Sequence, residues 1–370
     1  MKVLYVSKAS VVAAHRDKLR WLAKRVELEV VVPNRWSGSE SLLAVEDVSL
    51  TPLPVFWPGH NHFHLYRGLG VVMDRFVPDL IHLDEEPYSA VTFQGGRAAR
   101  RRGIPFVFFA YQNIPKRYPP PFHGIRRWVF DHAAGGIAAT DRAADVLVQY
   151  GFRKLLRVIP QMGVDPALFC ADAGLRVNTR ASFDCPSDAP VVAFIGRLVP
   201  EKGIDLLLGA VATIPEIVCV IAGSGPEEAT LRALADDLDI GSRVRFMGQI
   251  PSMEIPAVLA GVDVLCLPSR TTRRWAEQFG RVLIEAMSTE VPVVVTNCGE
   301  MAGVVGDCGK VVPMDDVDAL SIALEQLLSD QAHRVELGRC GRARVMDEFS
   351  QRRVVEDTVA LYEDVLERVT

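Results

Sequence analysis

Short apolar, β-rich runs alternate with helix-patterned segments along this chain, and they form two separate series. In the first half the runs fall at residues 3–6, 28–32, 80–83, 106–109 and 136–139, with helical patterns at 18–25 and 90–102. In the second half they fall at 191–195, 217–222, 264–267 and 293–296, with helices predicted at 204–212, 227–238, 281–288 and 317–328. A continuous apolar run has no polar face, so it fits a strand covered on both sides, the habit of parallel sheets with helical crossovers. Pro292 opens the last run, where no ladder donor is needed. Each half reads as a doubly wound α/β domain, with ligands expected off the carboxyl ends of its strands.

A chain of 370 residues exceeds the size at which one core keeps growing, which agrees with two domains. The expected division is residues 1–165, a linker at 166–189 marked by Pro166, Gly174 and Pro186, residues 190–349, and a terminal helix at 350–370. That helix is amphipathic through Val354, Val355, Val359, Leu361, Tyr362 and Leu366, and it is expected to pack back on the first domain.

Composition is ordinary for a soluble protein, at 49% hydrophobic and 24% charged. No apolar run reaches transmembrane length, and the first strand is too short to read as a signal peptide. Seven cysteines, all beyond Asp165, include no C-x-x-C pair; reduced thiols in a cytoplasmic protein are expected, with no metal site. His60, His62 and His64 alternate but lack acidic or cysteine partners in their segment, so they read as a mobile polar loop. Charge is unevenly spread: residues 1–165 carry +7 and residues 166–370 carry −12. The basic half includes Arg97, Arg100, Arg101, Arg102, Lys116, Arg117, Arg126 and Arg127. Such a half suggests an anionic partner, a membrane surface or a phosphorylated acceptor, and no motif points to nucleic acid. Trp128 and Phe122 beside Arg126 and Arg127 suit a membrane interface, giving a cytoplasmic protein peripheral on the inner face.

Two segments carry chemistry. Glu277-Gln278-Phe279-Gly280-Arg281 leads into a helix-forming run that contains Glu285. Gly280 breaks regular structure, leaving backbone N–H groups near Phe279, Gly280 and Arg281 for phosphate or sugar oxygens. Two carboxylates eight residues apart can grip vicinal hydroxyls, although two solvated glutamates on a surface helix are the usual outcome for such a pair. The second segment, Gly196-Arg197-Leu198-Val199-Pro200-Glu201-Lys202-Gly203, directly follows a strand. It projects two cations, a forked guanidinium and a mobile ammonium, able to stabilise a departing diphosphate without a metal.

G-R-x-x-x-x-K-G followed by E-x7-E resembles the retaining glycosyltransferases of family 4, which have the GT-B fold: two Rossmann-like domains flanking a deep interdomain cleft. The resemblance extends over Ile221-Ala222-Gly223-Ser224-Gly225-Pro226, Val244-Arg245-Phe246-Met247-Gly248, Leu267-Pro268-Ser269, and the P-x-x-G-V-D segment ending at Asp165. It implies that Arg197 and Lys202 hold the donor diphosphate, Glu277 the sugar and Glu285 the ribose. Gly196, Gly223 and the backbone of Phe279, Gly280 and Arg281 would line the donor, with Gln249 and Ile250 bordering the base. Acceptor-side candidates are Ser7, Lys8, His15, Tyr111 and Gln112.

Three departures from the family pattern stand out. The glycine pair common after the first strand is replaced by the segment from Ser7 to His15. A family histidine gives way to Ala110-Tyr111-Gln112, and the G-G-x-x-E segment reads Gly299-Glu300-Met301-Ala302-Gly303. The activity implied is metal-independent, retaining transfer from a nucleotide-diphosphate sugar to an acceptor hydroxyl on a cell-surface glycan or lipid-linked precursor, with no cofactor. A non-catalytic nucleotide-sugar-binding subunit and a GT-B-type nucleotide-sugar epimerase are the alternatives.

Overall fold

A computed structural model describes residues 1–11, 16–36, 48–184, 186, 188–273 and 275–369. His15 and Cys185 lie outside the described residues. The chain divides into two compact units, Met1–Gly163 with Gln351–Thr370, and Val164–Ser350.

The first unit contains β1 (Lys2–Val6), β2 (Glu27–Pro33), β3 (Ser49–Leu53), a hairpin of β4 (Val55–Phe56) and β5 (Leu65–Tyr66), β6 (Leu80–Leu83), β7 (Phe106–Ala110), β8 (Gly135–Ala138) and β9 (Leu155–Val158). Seven of these strands form one parallel sheet in the order β3-β2-β1-β6-β7-β8-β9. Successive strand residues face opposite sides. Val3 and Tyr5 of β1 therefore enter one apolar cluster, while Leu4 and Val6 enter the other. The terminal helix Gln351–Glu367 covers the first of these faces with Val354, Val355, Val359, Leu361, Tyr362 and Val365, as its amphipathic pattern predicts. Its Tyr362 hydroxyl lies 2.6 Å from Nδ1 of buried His82 on β6.

The second unit contains β10 (Val191–Ile195), β11 (Val218–Ala222), β12 (Val244–Gly248), β13 (Val264–Leu267), β14 (Val293–Thr296) and β15 (Lys310–Val312). They form a parallel sheet in the order β12-β11-β10-β13-β14-β15. The strand order reverses between β1 and β6 in one unit and between β10 and β13 in the other. Ligand crevices open at such reversals, because loops leaving neighbouring strands turn to opposite faces of the sheet.

Four expectations need correction. Residues 166–189 are not a bare linker: Ala173–Ser182 is a helix capped by Asp172, and Arg176 and Arg180 both pair with Asp263 of the second unit. The cysteines are not all reduced, since Cys308 and Cys340 form a disulfide between segments brought together by folding, while Cys219 and Cys266 are buried thiols. The histidine strip is not a mobile loop: His64 is fully buried, its Nδ1 3.3 Å from the His60 carbonyl oxygen. Finally, Trp128 is packed against Phe93, Phe106 and His132, and the Arg126 guanidinium stacks on Tyr150 at 3.8 Å. Neither side chain presents itself to an interface. The exposed rings are Phe56, Trp57 and Phe63, around the β4–β5 hairpin. No helix among the described residues is long and apolar enough to cross a membrane.

Candidate functional site

The loops leaving β10, β11 and β12 are stitched together by their backbones. Gly196 N–H donates to the Ala222 carbonyl (2.9 Å), Leu198 N–H to Ser224 (3.0 Å), and Gly223 N–H to Gly248 (2.7 Å). A Cβ on Gly223 would lie 1.8 Å from the Gly196 carbonyl oxygen, so these two predicted donor residues first shape the loop. Pro200–Lys202 forms a single 3-10 turn that sets Lys202 at the start of the helix Ile204–Thr213. Lys202 ion-pairs with Oε2 of Glu277, its ammonium 5.2 Å from the Trp275 ring centroid. The Ser269 hydroxyl is 3.5 Å from the same carboxylate oxygen, and Glu277 N–H points at Cys298 Sγ, also 3.5 Å away. Loops after β10, β13 and β14 thus converge on Glu277, which is 8% exposed.

Gly280 has φ +74° and caps the helix Arg281–Ser288, a conformation that costs little without a Cβ. Phe279 turns its ring into the core against Phe349, so its side chain is spent on packing and only its backbone remains at the helix start. Glu285, one turn into the helix, is buried, with the Arg281 guanidinium 2.8 Å away. Burial raises its pKa to about 7 against the opposing pull of Arg281. Each carboxylate therefore stands beside a cation of the same constellation, Glu277 with Lys202 and Glu285 with Arg281. Arg197 is exposed on the loop that carries Lys202, and Gln249 and Ile250 follow β12 directly. Gly299 adds a contact not expected from sequence. Its φ is +57°, a Cβ there would lie 2.0 Å from the Glu277 carbonyl oxygen, and Glu300 N–H donates to that oxygen at 3.0 Å. The divergent G-E segment therefore braces the Glu277 loop.

In the first unit, Val6 and Leu83 are register partners, so Ser7-Lys8 and Asp84-Glu85-Glu86 emerge side by side at the strand-order reversal. Ser7 is fully buried and donates to Asp84 at 2.6 Å; Gln161 donates to the other Asp84 oxygen at 3.0 Å. Lys8 ion-pairs with Glu85. Tyr111 lies half-buried beside Phe109, and its backbone N–H donates to Glu86 at 2.9 Å. The Gln112 amide donates to the Ile114 carbonyl (2.7 Å) and to Tyr150 Oη (3.0 Å), and accepts from Tyr118 Oη (2.9 Å). Of the acceptor-side candidates, Ser7 and Gln112 are thus committed to the scaffold. Glu85 and Glu86 were missed, although three acids directly after an apolar strand were a readable signal. Burial pushes both of their pKa values up to about 7, with Lys8 opposing at Glu85 and the Tyr111 N–H opposing at Glu86.

Comparison with known proteins bears on the family and the fold. Residues 176–344 match the family described as Glycosyl transferases group 1, and residues 16–168 match Glycosyltransferase Family 4. A 2-deoxystreptamine glucosyltransferase from Streptomyces kanamyceticus is 29% identical over 316 residues, 79% of either chain. A GDP-mannose-dependent alpha-(1-6)-phosphatidylinositol monomannoside mannosyltransferase from Mycolicibacterium smegmatis is 36% identical over 198 residues, 51% of this chain and 52% of its own. The match thus spans about half the length of that mannosyltransferase. Among solved structures, Anabaena HepE in complex with UDP aligns with TM-score 0.81 at 20% identity, covering 98% of this chain and 100% of that one. Sucrose-phosphate synthase from Thermosynechococcus elongatus aligns over the whole of both chains with TM-score 0.77 at 19% identity. Likeness at that identity speaks to the fold alone, here the GT-B fold of two doubly wound units. With matched segments running from residue 16 to residue 344, the chain belongs to the group 1, family 4 glycosyltransferases.

Proposed function

We propose that the protein transfers a hexose from a nucleotide-diphosphate sugar to an acceptor hydroxyl with retention at the anomeric carbon and without a metal ion. The observation that carries this reading is the convergence of Lys202 and Glu277 at the strand-order reversal of the second unit, beside a glycine-capped helix that holds Glu285. Arg197 and Lys202 take the diphosphate, whose negative charge grows as the sugar departs; fixed cations stabilise that charge most where it develops. Glu277 holds sugar hydroxyls and Glu285 the ribose. The departing phosphate oxygen accepts the acceptor's proton on the face it leaves, so the mechanism asks for positioning more than for a side-chain nucleophile. Relatives described as GDP-mannose-dependent and a structural neighbour solved with UDP-glucose support a nucleotide-diphosphate hexose as donor. The test is release of nucleoside diphosphate from a panel of UDP- and GDP-hexoses, with and without EDTA. One donor should be consumed at a rate the chelator leaves unchanged. Loss of activity with EDTA, restored by magnesium or manganese, sinks the metal-free mechanism, and inertness to the whole panel sinks the transferase reading.

The acceptor side is read as the first unit working at an anionic, lipid-bearing surface on the cytoplasmic side of a membrane. The +7 charge of residues 1–165 supports this, and so does the exposed ring cluster of Phe56, Trp57 and Phe63, with the Arg67 guanidinium 5.7 Å from the Phe56 ring centroid. Aromatic rings seated among head groups with cations nearby give reversible association, about 1 kcal/mol per well-placed cation. The chain should sediment with anionic vesicles at low salt and be released at high salt. Absence from the anionic pellet at low salt would leave a wholly soluble acceptor as the reading.

A further inference from the structure

The crevice between β1 and β6 holds polar groups that the scaffold leaves unspent. Oε1 of Glu86 accepts from Tyr111 N–H, and the Gln112 N–H also favours the ionised carboxylate; Oε2 is buried and makes no hydrogen bond of good geometry among the described residues. His64, fully buried, points its Nε2 toward Glu85 Oε1 at 3.7 Å and also makes no hydrogen bond through that nitrogen. Nδ1 of His62 is likewise unpartnered, its ring 4.9 Å from that of Tyr88, which stacks on Tyr118 at 4.2 Å. Buried polar atoms are nearly always paired, so several unpaired ones at a sheet's strand-order reversal mark a place shaped for a polar guest.

We propose that Glu86 is the acceptor-binding carboxylate of the enzyme: its Oε2 accepts a hydrogen bond from the hydroxyl neighbouring the reacting one, on a sugar or cyclitol ring that rests against Tyr88. This rests on the glycosyltransferase reading above and adds to it the residue and the acceptor class. Asp84 is occupied by Ser7 and Gln161 and Glu85 by Lys8, which leaves Glu86 as the carboxylate with capacity in hand. A carboxylate takes hydroxyl or ammonium donors and repels phosphate, so the ring that enters here carries no phosphate beside its reacting hydroxyl. The titratable groups facing Glu86 are Lys8 from the loop after β1, Glu85 beside it, Tyr88 on the β6 loop and Tyr118 beyond β7. Burial raises the Glu86 pKa to about 7, and the ionised form is the stronger acceptor of a hydroxyl's hydrogen bond.

The experiment compares the full chain with Glu86→Gln. The amide oxygen of glutamine still accepts from Tyr111 N–H, and matching thermal melts establish that the variant folds. Release of nucleoside diphosphate is followed from pH 5.5 to 8.5 with the donor chosen by the panel and glucose, mannose or myo-inositol as acceptor, alongside calorimetric titration with the nucleoside diphosphate; no stimulation of the wild type by any of the three overturns the acceptor class. Nucleotide affinity should be unchanged, while release falls on the order of tenfold or more, the size of one lost charge-assisted hydrogen bond. The wild-type rise in rate through about pH 7 should be absent in the variant. If Glu86→Gln melts like wild type and keeps both its rate and that rise, the Glu86 assignment is overturned and the donor-site reading survives. If neither chain binds a nucleoside diphosphate, the glycosyltransferase reading itself has failed.

Discussion

Replacing Lys202 by alanine should lower turnover by on the order of a hundredfold or more, while nucleoside diphosphate binding weakens far less. The ammonium is attracted to the diphosphate in the ground state, but there Glu277 also competes for it. In the transition state negative charge accumulates on the leaving oxygen, and the balance shifts toward the phosphate. Glu285→Ala should show the opposite split, because the ribose contact proposed for it would be made in both states: affinity falls by roughly 1–3 kcal/mol with turnover largely kept. Burial has raised the Glu285 pKa to about 7, so wild-type nucleotide affinity should weaken as pH drops below that value, and the alanine variant should lack this dependence. The sign for stability is the reverse: a raised carboxyl pKa contributes stability below 4.5 that is lost as pH rises through about 7. Steady-state kinetics beside calorimetry separates these effects. Equal losses of turnover and affinity in both variants would refute the division of labour.

Gly299→Ala should be nearly as damaging, although residue 299 lies outside every predicted donor contact. The new methyl group would stand 2.0 Å from the Glu277 carbonyl oxygen, and φ at this position is +57°. The clash is with backbone, so no side-chain rotation relieves it. The loop carrying Glu277 must shift, and a displacement near 1 Å in a positioning residue costs about a hundredfold in rate. Ala302→Gly, three residues along at the start of the helix Met301–Val305, serves as the control and should remain close to wild type. If Gly299→Ala keeps wild-type kinetics, the loop after β14 has no part in holding Glu277.

The strands that sequence reading found are the interior ones, whose residues are buried on both faces, as in β1, β6, β10 and β13. Those it missed as strands are the two-residue strands of the β4–β5 hairpin and β3, β9, β12 and β15, the four edges of the two parallel sheets. Edge strands are half-solvated, and Ser49–Leu53 even carries Pro52, which an edge tolerates. They lack the continuous apolar run that betrays a central strand, and only their neighbours make them strands. The site divides in a similar way. Lys202, Glu277 and Glu285 were legible because each sits on a loop or helix start with local signals: glycine, proline and a strand just before.

What the sequence alone determined, then, was whatever short-range physics encodes: two doubly wound units, a terminal helix with one apolar face, and the loops and helix start that carry Lys202, Glu277 and Glu285. Tertiary structure decided which polar groups remain available, since that depends on partners far along the chain. Ser7 is consumed by Asp84, 77 residues away. Gln112 is held by Tyr150, 38 residues away. Glu86 Oε2 is left without a hydrogen bond among the described residues, while the parallel pairing of β1 with β6 brings Lys8 to Glu85. Hydrogen-bond capacity is shared out among groups that folding brings together, so a residue's chemistry can be named from sequence, but its vacancy is settled only when every neighbour has taken its share.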